Sequence, residues 1–208
     1  MTNWIDDIHR WDGKLPATLL SVGLTPERQG ARLRAFVACA LDLDPEDIVI
    51  ERVKGRAPVL VEPKDRGLYL STSHRRQIAA MAVARSQVGV DVEIVDAPNE
   101  IPWNVLHPSE AAMLIRVDET ARARSFARLW SLKEAYLKAL GLGLSREPAS
   151  FAIHFLDNET AAVEDRSGPQ ERIDARTIWR EVDGAPVAIS TVVIERRAGS
   201  AGNDDGGA

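Results

Sequence analysis

The chain has 208 residues, a hydrophobic fraction of 45% and a formal net charge of −5. That length suits one large domain or two small ones, and an acidic balance argues against a general nucleic-acid binder, which carries a basic excess. The single cysteine, Cys39, excludes an internal disulfide and any zinc site built on several cysteines.

The region before residue 26 carries Asp6, Asp7 and His9 and lacks the basic start and apolar core of a signal peptide. No apolar run in the chain reaches the roughly 18–20 residues of a membrane span, so a cytoplasmic protein with no membrane partner is expected. The spacing predicts a helix over Pro26–Leu41, where Leu33, Phe36, Val37 and Ala40 recur at three and four residues. Cys39 sits in its apolar run and reads as a buried structural thiol. Arg28, Arg32 and Arg34 lie between the apolar positions and read most simply as a solvated face. Asp44-Pro45 is a turn, Ile48–Val53 a weakly alternating strand, and Lys54–Pro58 a loop.

Gly67–His74 reads as a strand, with Leu68, Leu70 and Thr72 on one side and Tyr69, Ser71 and Ser73 on the other. Ile78–Ala84 and Val88–Val95 read as two further strands. The polar turn Arg85-Ser86-Gln87 predicts that they form a hairpin. Ala97–Pro102 is a linker or long loop. Pro108-Ser109-Glu110 starts a helix to about Val117, and a longer helix spans about Glu119–Leu140. Phe126, Leu129, Trp130, Lys133, Leu137 and Leu140 fall on one side of that helix, and Gly141 and Gly143 end it. Strands are expected over Phe151–Phe155, Thr177–Val182 and Pro186–Ile194, the last two joined by a hairpin turn at Asp183-Gly184. Residues 198–208 are rich in Gly, Ser, Asn and Asp and read as a disordered tail.

Two separated acidic motifs carry the chemistry. In Gly89-Val90-Asp91-Val92-Glu93, residues two apart point the same way along a strand, so Asp91 and Glu93 share a face. In Trp130-Ser131-Leu132-Lys133-Glu134-Ala135-Tyr136-Leu137-Lys138, residues four apart are neighbours on a helix, so Glu134 and Lys138 share a face. Each has a bland reading beside it. The first is a solvated strand face, the second an ordinary helical Glu–Lys pair. If strand and helix meet, three carboxylates converge beside a lysine. Hard oxygen donors of that kind suit Mg²⁺, and a divalent cation next to a lysine is equipment for handling a pyrophosphate. Ser73-His74, followed by Arg75 and Arg76, combines hydroxyl, imidazole and guanidinium groups that could bind phosphate. Arg56 in its Gly/Pro loop is a similar candidate.

With these motifs in order, the chain resembles the 4′-phosphopantetheinyl transferases of the two-lobed Sfp type. That family carries a G-[IV]-D-[IV]-E strand followed about 40 residues on by W-x-x-K-E-A-x-x-K-x-x-G, matched by Gly89–Glu93 and Trp130–Gly141. Its S-H pair is matched by Ser73-His74, and its Gly-basic-Pro loop resembles Gly55-Arg56-Ala57-Pro58. Three departures stand out. Ser71 replaces the usual Asn two residues before the Ser, Arg75 follows the His where a small polar residue is common, and Ala57 separates Arg56 from Pro58. All three are expected to touch coenzyme A contacts and not the metal site.

The resemblance implies an α+β fold of two similar lobes related by pseudo-two-fold symmetry, each a small, largely antiparallel sheet packed with a long helix. It implies an N-terminal lobe over residues 1–88, contacting coenzyme A phosphates, and a C-terminal lobe over 89–197 with the metal and catalytic motifs. It implies a monomer that transfers phosphopantetheine from coenzyme A to a serine of an apo carrier protein. Asp91, Glu93 and Glu134 would hold Mg²⁺, with Mn²⁺ as a substitute. Glu134, Lys138 and Lys133 would be catalytic, Lys133 contacting phosphate or pantetheine. Arg34, Arg56, Ser73, His74 and Lys138 would contact coenzyme A. A non-catalytic coenzyme A or carrier-protein binding module is the alternative, and three converging carboxylates argue against it. Carrier recognition is expected around the cleft, in the loop from Ala97 to His107.

Overall fold

The computed structural model describes residues 2–53, 55–95 and 101–195. The expected tail, 198–208, and residues 97–100 of the expected linker lie outside these. The described residues form an α+β fold of eleven strands and three α-helices, joined by turns and short 3₁₀ segments. The first strands are β1 (Asn3–Ile5) and β2 (Ala17–Val22), followed by helix α1 (Pro26–Leu41). Pro26 opens α1, where its missing N–H would find no partner in any case. Asp42 closes the helix in the left-handed conformation at φ 54°. Next come β3 (Val49–Glu51), β4 (Val59–Glu62), β5 (Tyr69–Arg75), β6 (Ile78–Ala84) and β7 (Gln87–Ile94). The C-terminal part holds helices α2 (Pro108–Arg116) and α3 (Glu119–Ala139), then β8 (Ala152–Phe155), β9 (Thr160–Glu164), β10 (Arg172–Val182) and β11 (Ala185–Glu195).

One sheet has the order β1-β2-β6-β5 and the other β7-β11-β10-β9-β8, while β3 and β4 pair by themselves. Among the described residues only the β1–β2 pair is parallel. The alternation of side chains along β6 shows how the layers stack. Ala79, Met81 and Val83 pack on Leu33, Phe36 and Val37 of α1. The residues between them, Ile78, Ala80, Ala82 and Ala84, meet Val88, Val90 and Val92 of β7 and Val187, Ile189 and Val193 of β11. Across the second sheet, Val192 and Ile194 of β11 pack with Leu129, Leu132 and Tyr136 of α3. The layers therefore run α1, first sheet, second sheet, α3. Polar pairs pin the stack: Thr18 bonds Thr191 between the sheets at 2.8 Å, and Ser190 bonds Ser131 of α3 at 2.6 Å.

The hairpin expected between Ile78–Ala84 and Val88–Val95 does not form. Both edges of β6 are taken, by β2 and β5, and β7 pairs instead with β11. Arg85 and Ser86, the two residues between the strands, carry the chain from one sheet to the other. The Asp183-Gly184 hairpin does form, with both residues at positive φ (52° and 76°) as a two-residue type I′ turn requires. Strands β1, β2, β4 and β9 escaped the pattern reading; β2 is buried over its first half rather than alternating. Cys39 is half-buried, and its thiol donates to the Ile8 carbonyl at 3.4 Å. Among the described residues no helix is long and apolar enough to cross a membrane.

Candidate active site

Strand β7 presents Val88, Val90 and Val92 to the first sheet, so Gly89, Asp91 and Glu93 face α3. Gly89 allows the helix to lie directly on the strand. A Cβ there would fall 1.9 Å from the Ala135 carbonyl oxygen and 2.5 Å from the Ala139 nitrogen. Just beyond this point of closest approach, Glu134 and Lys138 project beside Asp91. Lys138 Nζ lies 2.6 Å from Asp91 Oδ1, 3.2 Å from the Val90 carbonyl and 3.7 Å from Glu134 Oε2.

The third wall is β5, the edge strand of the first sheet. Ser73 Oγ donates to Asp91 Oδ1 at 2.8 Å. The Arg75 guanidinium grips both oxygens of Glu93 at 3.0–3.2 Å. The Val90 N–H donates to the buried Ser71 hydroxyl at 3.0 Å, which satisfies a buried donor on the edge of β7 away from β11. Thr72, Ser73, His74, Arg75, Asp91, Val92, Glu93, Glu134 and Lys138 together line a cleft of about 280 Å³.

Asp91 and Glu93 are buried, 2% and 8% exposed, which takes two neighbouring carboxylates out of water. Asp91 Oδ2 is buried without a hydrogen-bond partner. Burial, followed by the charge of Asp91, pushes the Glu134 carboxyl up to about 7, although Lys138 opposes the shift. Burial and then Asp91 raise Glu93 as well, against the pull of Arg75. Negative charge is therefore crowded here beyond what the chain's own cations neutralise. Among the described residues, no three His, Cys, Asp or Glu side chains already stand as a formed metal-ligand set. Lys138 and Arg75 occupy oxygens that a cation would use. The donor chemistry nonetheless fits a hard divalent cation: all oxygen, three carboxylates around one cleft, and one buried oxygen with nothing bound to it.

Sequence-predicted residues divide between this cleft and other places. Asp91, Glu93, Glu134, Lys138, Ser73 and His74 come together. Arg34 instead lines a separate depression between α1 and β3, and Arg56 follows β3 on an exposed turn outside the cleft lining. Lys133, expected at phosphate or pantetheine, requires correction. It is fully buried, and its ammonium donates to Glu110 Oε1 at 2.7 Å and the Phe151 carbonyl at 2.8 Å. Burial lowers the Lys133 pKa, and Glu110 counters that. The helix turns by about 100° between consecutive residues, so Lys133 and Glu134 face different ways. The expectation that Arg75 touches only coenzyme A contacts also changes, because its guanidinium is bound to Glu93. Neither the Glu110–Lys133 pair, 23 positions apart, nor the Ser71–Val90 bond has a local sequence signal.

A second groove, of about 320 Å³, adjoins the cleft across Arg75 and Glu93 and is lined by Ile94, Ile101, Phe126 and Trp130 among others. Phe126 and Trp130 stack with ring centroids 6.4 Å apart.

Residues 87–190 match the 4′-phosphopantetheinyl transferase superfamily. The chain belongs to this superfamily. The matched span begins with β7 and covers α3, the two elements that bring the acidic residues together. The chain is 31% identical over 158 residues to a phosphopantetheinyl transferase of a Thraustochytrium species, covering 67% of this chain and 54% of that protein. It is 26% identical over 132 residues to the 4′-phosphopantetheinyl transferase gsp of Aneurinibacillus migulanus, covering 63% of this chain and 53% of that one. The chain thus spans about half the length of the curated relatives it matches. Among solved structures, the holo-[acyl-carrier-protein] synthase of Thermotoga maritima matches 53% of this chain and 65% of its own, at 22% identity and a TM-score of 0.38.

Proposed function

We propose that this member of the superfamily transfers the 4′-phosphopantetheine group of coenzyme A to a serine hydroxyl of an apo carrier protein. The serine oxygen forms a bond to phosphorus, the pyrophosphate P–O bond breaks, and adenosine 3′,5′-bisphosphate leaves with the bridging oxygen. The observation that carries this reading is the meeting of β7 and α3 at Gly89, which gathers Asp91, Glu93, Glu134 and Lys138 in one cleft and leaves Asp91 Oδ2 buried without a partner.

Asp91, Glu93 and Glu134 would hold Mg²⁺ or, in its place, Mn²⁺. When bound, such an ion supplies positive charge to the pyrophosphate oxygens. Lys138 adds a further positive charge at the cleft floor, where negative charge builds on the departing bisphosphate. Ser73 fixes Asp91 by donating to Oδ1, and His74 at the cleft wall is the nearest candidate for a coenzyme A phosphate. In the metal-free cleft the Glu134 carboxyl is lifted to about 7; a cation held there would lower it again, and the serine proton would pass to Glu134 or to a water beside it.

The same reading has the chain divide near residue 88, where it leaves the first sheet for the second. Each half packs one long helix on a largely antiparallel sheet, α1 on one and α3 on the other, which supports a pseudo-two-fold relation. A monomer acting in the cytoplasm belongs to the same proposal, with β5 from one half of the chain and β7 and α3 from the other meeting at the cleft.

The test is intact-mass analysis of apo acyl, aryl and peptidyl carriers incubated with the protein, coenzyme A and Mg²⁺. A carrier should gain roughly 340 Da, the mass of the moved group, and the gain should vanish with EDTA. A gain that persists in EDTA would remove the divalent cation from the mechanism. No gain on any carrier, together with no binding of coenzyme A, would overturn the transferase reading.

A further inference from the structure

Lys138 and Arg75 each neutralise one carboxylate of the cleft, and they do so differently. Lys138 binds one oxygen of Asp91 and leaves Oδ2 without a partner. Arg75 lays Nε and Nη2 across Glu93 and occupies both of its oxygens. The Arg75 side chain is 56% exposed while that of Glu93 is 11% exposed. The carboxylate is thus held in the wall of the cleft, and the guanidinium covers it from the solvent side. Arg75 also stands on the boundary between the acidic cleft and the adjoining apolar groove, lining both. Its charge faces Asp91 and Glu134 as well as Glu93.

We propose that Arg75 is a built-in competitor for the cation site: in the free protein it holds Glu93, and a divalent cation gains that carboxylate only by displacing the guanidinium. The proposal rests on the reading of the cleft as a divalent-cation site. Two features make Arg75 a competitor that can be displaced. The Arg75 side chain is half-exposed, so water solvates the guanidinium once it is released. The planar fork of arginine, with its fixed donors, matches a carboxylate edge-on and uses up both oxygens, which a lysine cannot do from one point. An arginine at this position therefore lowers the cation affinity of the free cleft, whereas a small polar residue would leave Glu93 open.

The test is calorimetric titration of the metal-free full chain with Mn²⁺, comparing the native protein with Arg75→Gln and Arg75→Lys. Arg75→Gln should bind Mn²⁺ about tenfold more tightly, the effect of removing one competing charge worth about 1.4 kcal/mol. Arg75→Lys should fall between the two. Arg85→Gln serves as a charge control. Arg85 lies on the exposed turn after β6 and donates to the Arg66 carbonyl, so its loss should change the affinity by less than about twofold. Circular dichroism of each variant checks the fold, which the half-exposed Arg75 is not positioned to decide.

Equal or weaker Mn²⁺ binding by Arg75→Gln, with the native protein binding Mn²⁺ and Asp91→Ala losing it, would overturn the competition while leaving the cation site standing. An equal tightening in Arg85→Gln would overturn it too, since net charge alone would then explain the effect. No Mn²⁺ binding by either the native protein or Arg75→Gln would overturn the proposal together with the cation-site reading beneath it.

Discussion

Helix α3 carries two lysine–carboxylate pairs five residues apart, and they have opposite characters. Lys133 and Glu110 are fully buried. Glu110 Oε1 also accepts the Ile153 N–H at 2.7 Å, Oε2 accepts the His107 N–H at 2.8 Å, and the Lys133 ammonium lies 4.3 Å from the Phe151 ring centroid. Both charges have partners on all sides within the protein, and the pair ties α2, α3 and β8 together. Lys138 and Asp91 lie on the opposite side of the same helix at the wall of an open cleft. There one carboxylate oxygen has no partner and a second carboxyl, Glu134, is lifted to about 7. A saturated buried pair leaves nothing for a ligand to bind, whereas an unsaturated one does. The signature lysine nearer the helix start is thus tied into the core, whereas the later one stands at an open cleft, where the proposed function would use it.

The largest effect that would test this contrast is on stability. Glu110→Ala strands the Lys133 charge in the core and should cost about 3–5 kcal/mol in urea unfolding. Replacing both partners with apolar residues of similar size, Glu110→Leu with Lys133→Met, should recover most of that loss. If the double variant stayed catalytically dead while folded, Lys133 would have a chemical role after all.

Removing a cleft carboxylate should do the reverse. Asp91→Ala should lower transfer at least about a hundredfold, in the range for removing charge stabilisation at a transition state. Its melting temperature should fall little, because the substitution also removes a crowded negative charge. Full activity in this variant would sink the assignment of the cleft.

A smaller and mixed effect is expected at Gly89. Gly89→Ala places a methyl against the α3 backbone, so the helix must shift away at a cost of about 1–3 kcal/mol. Because that shift carries Glu134 and Lys138 away from Asp91, activity should fall by more than the loss of folded protein explains. Activity that merely tracked the folded fraction would show that the helix–strand distance does not govern the site.

Much of the local structure was legible. The three-and-four spacing of Leu33, Phe36, Val37 and Ala40 marked α1 to its ends, and Asp183-Gly184 marked its hairpin, because a residue's immediate neighbours encode both signals. The alternation around Asp91 and Glu93, and the four-residue step from Glu134 to Lys138, put each pair on one face. The burial of Lys133 was also within reach. It shares a helix side with Leu129, Trp130 and Leu137, and a charge on an apolar stripe has to find a partner inside. The family signature drew it toward the cleft instead.

The period of each element, many of the turns and the shared faces of the carboxylates are encoded locally along the chain. The parting of β6 and β7 into separate sheets, the pairing of Glu110 with Lys133 and the grip of Arg75 on Glu93 emerge once the fold brings distant segments together. The reason is physical. Periodicity follows from backbone geometry over a few residues, whereas pairing across the fold depends on which buried faces meet, and those faces come from segments far apart in the chain.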